Sequence, residues 1–168
     1  VSLYGELLDK YELFKNSKKI LLNEYKVLSE SIKTVSKENY DEFCDNNSLN
    51  DRRRAMGLFM TNMVKKRLLD NEIILEKIDF YQSKMNENME IENMKELNEE
   101  YAENIYVLVV NTASELYNNE RWKKILEEVR KITKIVVKEK KSFTSRAKFK
   151  HMDIITEYEK FIKENNIE

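Results

Sequence analysis

The chain has no proline, two glycines, one cysteine and one histidine in 168 residues. Average usage would supply roughly 12 Gly and 8 Pro at this length, so the turn chemistry of β-hairpins and sandwiches is nearly missing. The fold class this predicts is all-α. One His and one Cys cannot by themselves complete a four-ligand zinc site or an intramolecular disulfide. No G-x-G-x-x-G, Walker, G-x-S-x-G or H-E-x-x-H pattern occurs, so no cofactor, no metal and no enzymatic activity are expected. No apolar run approaches the roughly 18 residues of a membrane span, and the amphipathic start lacks the apolar core of a signal peptide. A lone Cys suits a reducing compartment, so a cytoplasmic protein with no membrane partner is expected. The first residue is Val rather than Met, and the expectation is a fragment of a longer polypeptide.

What is present is charge and helical period: 36% of residues are charged and 41% hydrophobic. Apolar residues recur at helical spacing almost throughout, broken where Ser, Thr, Asn and Asp compete for backbone hydrogen bonds. The pattern predicts about seven helices in one domain. The first runs from Ser2 to Phe14 with Leu3, Leu7, Tyr11 and Phe14 on one face, and the second from a Ser17 cap to Ser36. A polar connection through Tyr40, Phe43 and Asp45–Ser48 follows, with room for one short turn of helix. Further helices are predicted over Asn50–Leu69, Asp70–Met85, Met94–Tyr117 and Glu120–Lys138. The last begins after the Ser142–Ser145 break and runs to Asn165, carrying Phe149, Met152, Ile155, Tyr158 and Ile162. The Val107–Val110 run is read as helix because its flanks keep the helical period. Helices of this length on short connections suit a right-handed α-solenoid of antiparallel pairs or a bundle.

The net charge of −1 conceals segregation. Residues 121–150 hold 12 basic and 3 acidic residues, net +9, whereas residues 76–105 hold 3 basic and 9 acidic, net −6. One end is thereby attractive to phosphates or an acidic partner; the alternative is a solvated helix face. Arg52–Arg54 would oppose the dipole of a helix starting at Asn50, so either the run serves a ligand or the helix starts earlier. His151 has no nucleophile and orienting carboxylate to work with and is read as structural. Cys44 reads as a small hydrophobe, and Met56, Met60 and Met63 as core filler. Glu127 and Glu128 are adjacent, so they form no facing dyad.

The segment Lys140-Lys141-Ser142-Phe143-Thr144-Ser145-Arg146-Ala147-Lys148-Phe149, followed by Asp153 and the Ile154-Ile155 pair, resembles the last repeat of the middle domain of eukaryotic translation initiation factor 4G. In that family a Lys-rich tail precedes Ser-Ser-Arg-x-Arg-Phe-x-x-x-Asp and an apolar pair. Leu3-Tyr4-Gly5-Glu6-Leu7 is similar to the family's Tyr-Ala-Glu-Leu element, and Phe59 through Leu69 to its helix ending Leu-Phe-Lys-Leu-Lys-Met-Leu. The family's first helix pair has no counterpart here. Its arginine run is displaced by a few residues from Arg52–Arg54 once the apolar register is matched. The resemblance implies a non-enzymatic HEAT-type scaffold that binds and stimulates a DEAD-box RNA helicase of the initiation factor 4A type. It also implies contact with RNA, and a cap-binding protein held by regions outside this chain. Helicase contact would fall on Arg146, Lys148 and Phe149. Candidate RNA contacts are Arg52, Arg53, Arg54, Lys138, Lys140 and Lys141. The alternatives are direct RNA binding through the +9 segment, or the same scaffold serving another DEAD-box helicase in mRNA decay, splicing or nuclear cap binding.

Overall fold

The computed structural model describes residues 3–167, with side chains from residue 5 onward. The predicted helix start at Ser2 and the places of Leu3 and Tyr4 in their motif lie outside the described side chains. Six α-helices and one 3₁₀ turn make up the described secondary structure, with no strand among the described residues. The fold is all-α.

The chain divides into two compact units, residues 1–32 and 33–168. The first holds α1 (Leu3–Glu30). Two helices with a break at Ser17 were expected here. Asn16 and Ser17 each disfavour a helix by only some tenths of a kcal/mol, and with no Gly or Pro nearby, propagation through them is easier than a fresh nucleation. The helix therefore runs on, and Leu7, Tyr11 and Phe14 on its face are exposed.

In the second unit, α2 (Tyr40–Lys65) starts ten residues before the expected position. Asn39 caps it by accepting from the Glu42 amide at 3.2 Å, and its own side-chain amide donates to the Glu42 carboxylate at 3.3 Å. This reciprocal cap, with Asp41 and Glu42 in the first turn, turns the expected polar connection into helix. Next come α3 (Asn71–Asn88), α4 (Lys95–Leu116) and α5 (Glu120–Lys134). The last ends four residues early, at the β-branched Ile135-Val136-Val137 run, which a helix tolerates poorly. A 3₁₀ turn (Val137–Glu139) leads to α6 (Ser145–Glu164).

Helix α4 packs against α2 on one side and α6 on the other, while α3 packs on α4 and α5 on α6. Within this unit α2, α4 and α6 thus make one layer, and α3 and α5, which also touch, a second. That alternation is consistent with stacked helix pairs. Between the layers Met60, Ile74, Ile78, Tyr81, Ile105, Leu108, Trp122 and Ile154 are buried, each large apolar side chain contributing about 1.5–3 kcal/mol. Of the methionine stripe, Met60 is core and Met56 and Met63 are half-buried; Cys44 is half-buried too.

Ser142 ties the approach to α6 into this frame. Its amide donates to the Met89 carbonyl at 3.0 Å, its hydroxyl donates to the Ile91 carbonyl and accepts from the Met94 amide, and its carbonyl accepts from the Asn98 side chain at 2.6 Å. Phe143 beside it is buried.

Candidate protein-docking face

The last helix begins at a side-chain cap. The Thr144 hydroxyl accepts from the Ala147 amide at 3.2 Å, so Arg146, Lys148 and Phe149 fall in the first helical turns. The stripe that α6 buries is Ala147, His151 and Ile154, spaced by four and three. The sequence-predicted stripe of Phe149, Met152, Ile155 and Tyr158 advances in steps of three, and each step falls about 60° short of a full turn. It therefore winds around the helix: Phe149 and Met152 point to solvent, 59% and 45% exposed, whereas Ile155, Tyr158 and Ile162 return to half-buried positions. The ring expected to mark a partner surface is thus open, and it has an apolar neighbour one turn on.

Its two basic companions are engaged. The Arg146 side chain is 65% exposed and stands 3.6 Å from Glu99 and 3.6 Å from Glu103 of α4, ion pairs beyond hydrogen-bond range. Lys150, one turn on, pairs with Glu103 at 3.1 Å and lies over the Tyr106 ring at 4.6 Å. The Lys148 ammonium donates to the Ile135 carbonyl at 2.8 Å, occupying an acceptor that the end of α5 would otherwise leave open. These contacts hold α6 against α4 and the end of α5. Sequence reasoning missed Glu99 and Glu103, although their spacing of four matches the Arg146–Lys150 spacing and was readable.

The other candidate run has a different fate. Because α2 starts at Tyr40, Arg52–Arg54 lie mid-helix, which removes the conflict with the helix dipole. Arg53 is fully buried, donates to the Asn50 side chain at 2.6 Å and lies 3.7 Å from Glu100. It is thereby removed from the candidate RNA surface. Burial presses its guanidinium below the usual arginine value, opposed by Glu100; burial raises Glu100 against the pull of Arg54, Asn104 and Arg53. Arg54 is turned to Asp51 at 2.9 Å and Glu100 at 3.8 Å, and Arg52 is exposed. Arg54 and Arg146 nevertheless reach one polar cleft of about 250 Å³, floored by Glu99, Glu100 and Glu103 with Asn46 and Asn50.

Among the remaining RNA candidates, Lys140 pairs with Glu90 and Lys141 with Glu92, while Lys138 is exposed. Arg121 similarly holds Glu72 and Asp79. Much of the charge segregation along the sequence is therefore a pairing scheme, in which the basic segment meets the acidic one in space. His151 is fully buried with its Nδ1 2.8 Å from the Ala147 carbonyl. Burial lowers it to about 4, against the smaller raising influences of that carbonyl and Glu128, so it is a neutral core residue at neutral pH. Among the described residues no cluster of His, Cys, Asp and Glu could hold a metal, and no helix is long and apolar enough to cross a membrane.

No family model, curated protein or solved structure matches the chain.

Proposed function

We propose that this chain is a helical scaffold of the kind found in the initiation factor 4G middle domain, and that α6 presents a docking face to a DEAD-box RNA helicase of the initiation factor 4A type. The observation that carries this reading is the outward Phe149–Met152 pair, set opposite the buried Ala147–His151–Ile154 stripe. An exposed aromatic beside a flexible thioether, on a helix braced by Arg146 and Lys148, is the composition that binding hot spots favour. The capped helix start and the Ser142 bonds fix the face in one orientation, which limits the ordering entropy lost on docking. In this reading Arg146 and Lys148 mainly position the face, and the protein works in the cytoplasm without catalysing a reaction. A cap-binding protein would attach elsewhere on a longer chain.

The test measures binding of the purified chain to such a helicase, together with the helicase's RNA-dependent ATPase rate. Binding and a raised rate are expected. Truncating a true anchor in Phe149→Ala should weaken binding by at least about 2 kcal/mol, roughly 30-fold. The reading fails if neither binding nor stimulation occurs, or if Phe149→Ala matches the parent. A chain that binds a different DEAD-box helicase through Phe149 keeps the docking face and moves the function to decay, splicing or nuclear cap binding.

A further inference from the structure

Helices α2 and α4 turn polar stripes towards a shared cleft. Glu96, Glu99, Glu100 and Glu103 stand at i, i+3, i+4 and i+7 on α4, and Phe43, Asn46, Asn47 and Asn50 repeat that spacing on α2, so each set occupies one helix face. The two faces line the polar cleft of about 250 Å³ described above. Cations complete it: Lys33 and Lys37 come from the segment before α2, Arg54 from the next turn of α2, and Arg146 from α6. Four carboxylates thus meet four cations, and the lining carries no net charge.

The ion pairs across the cleft are long. Lys37 stands 3.7 Å from Glu96, Arg54 3.8 Å from Glu100, and Arg146 3.6 Å from Glu99 and 3.6 Å from Glu103, all past hydrogen-bond range. Other neighbours occupy several of these groups. Glu100 accepts from Asn104 at 2.8 Å and Glu103 holds Lys150 at 3.1 Å, while Lys33 turns to Glu42 and Arg54 to Asp51. Glu99 and Arg146 make no hydrogen bond among the described residues. Asn46 adds a second, independent sign: it is 9% exposed, and its side-chain oxygen is buried without a hydrogen-bond partner, a state that is costly until a donor arrives.

We propose that this cleft binds a free polar amino acid, glutamine fitting best, whose carboxylate lies on Arg146 and whose ammonium lies between Glu99 and the Asn46 oxygen. A guanidinium presents a planar fork that matches a carboxylate, and an ammonium brings three donors to a glutamate and an orphaned carbonyl oxygen that lack them. A lining of zero net charge suits a ligand that carries both signs, and an uncharged side chain preserves the balance. The rest of the wall selects further. Only Val35 and Phe43 of the lining are apolar, so an aliphatic side chain gains little there, whereas a primary amide can exchange hydrogen bonds with that of Asn47. The volume falls just below the roughly 300–1,000 Å³ of drug-sized sites, which suits a ligand of amino-acid size. The assignment is independent of helicase docking, because Phe149 and Met152 line no part of the cleft.

The experiment titrates the full chain with L-glutamine by calorimetry and ligand-observed NMR, and a Kd of roughly 0.1–1 mM is expected for a ligand of about ten heavy atoms. N-acetylglutamine, which lacks the ammonium, and glutaminamide, which lacks the carboxylate, should each bind at least about tenfold more weakly. Glutamate, arginine and leucine should all bind more weakly than glutamine. Glu99→Gln and Arg146→Gln, both at positions that reach solvent, should each lose about tenfold or more in affinity. Asn46→Ala should weaken binding about fivefold without lowering the urea midpoint of the unliganded chain, since it deletes an acceptor that has no partner there; a merely structural Asn46 would move the midpoint down. The proposal is overturned if glutamine shows no saturable binding, if either blocked derivative or leucine binds as tightly, or if Glu99→Gln matches the parent. Tighter binding of N-acetylargininamide than of glutamine overturns it too, and gives the cleft to an arginine of a protein partner. Phe149→Ala should leave glutamine affinity unchanged, so failure of helicase docking and failure of this cleft read out separately.

Discussion

Arg52–Arg54 and Arg146–Lys150 are both short basic runs on long helices, both approach the glutamates of α4, and they end in opposite states. Arg53 is sealed between Asn50 and Glu100, while Phe149 stands open between Lys148 and Lys150, whose charges are held to the side by the Ile135 carbonyl and Glu103. The difference comes from which helix face each run occupies. In α2 the face that packs on α4 includes Arg53 along with Met60 and Val64, so a charge is drawn inside and must be paired there. In α6 the packing face runs through Ala147 and His151, and the basic residues fall to either side of it. Basic composition alone therefore says little about a partner; what matters is whether internal carboxylates have already taken the charge.

The strongest test of that contrast is Arg53→Met. Removing one member of a buried ion pair leaves Glu100 under-compensated, with Arg54 at 3.8 Å as its remaining cation. Urea unfolding should show a loss of about 3–5 kcal/mol, with Arg53→Met/Glu100→Gln recovering much of it. A loss below about 1 kcal/mol, as for an ordinary surface site, would mean that the two runs do not differ in kind. Next in size is the acid response of His151. Its native value near 4 lies below the 6.5 of an open chain, so between those values the unfolded state carries more protons. Stability from this group is complete above about pH 6.5 and falls by about 3 kcal/mol as pH drops towards 4. Unfolding free energies across that range should slope less steeply in His151→Gln, whatever its absolute stability. Smallest of all, Phe149→Ala and Arg146→Ala should each change the unfolding free energy by less than about 1 kcal/mol. A larger loss for Phe149→Ala would mean that its ring supports the fold after all.

The helical class was legible because proline and glycine scarcity and a sustained helical period agree. Helix ends were less so. The Asn39-x-x-Glu42 cap was present in the sequence and outweighs the Asn46-Asn47-Ser48 cluster that suggested a connection, because each of those residues disfavours helix only slightly. The candidate face was readable in part: the positions of Arg146 in the capped first turn and Phe149 in the second follow from Thr144, but their exposure does not. Which side of α6 turns inward is decided by neighbours distant in sequence, and Ala147 is small enough to let them approach closely. The engagement of Lys148 by the Ile135 carbonyl likewise depends on where α5 stops, which the Ile135–Val137 run hints at only in hindsight.

The four bonds at Ser142 fasten the chain to itself across some fifty residues, from Met89–Asn98 to the threshold of α6. Most of α4 and all of α5 lie between the joined ends, so the clasp closes a loop whose ends cannot drift apart while the bonds hold. A chain cut anywhere inside that loop would still have its two pieces pinned to each other at Ser142 as well as through the core.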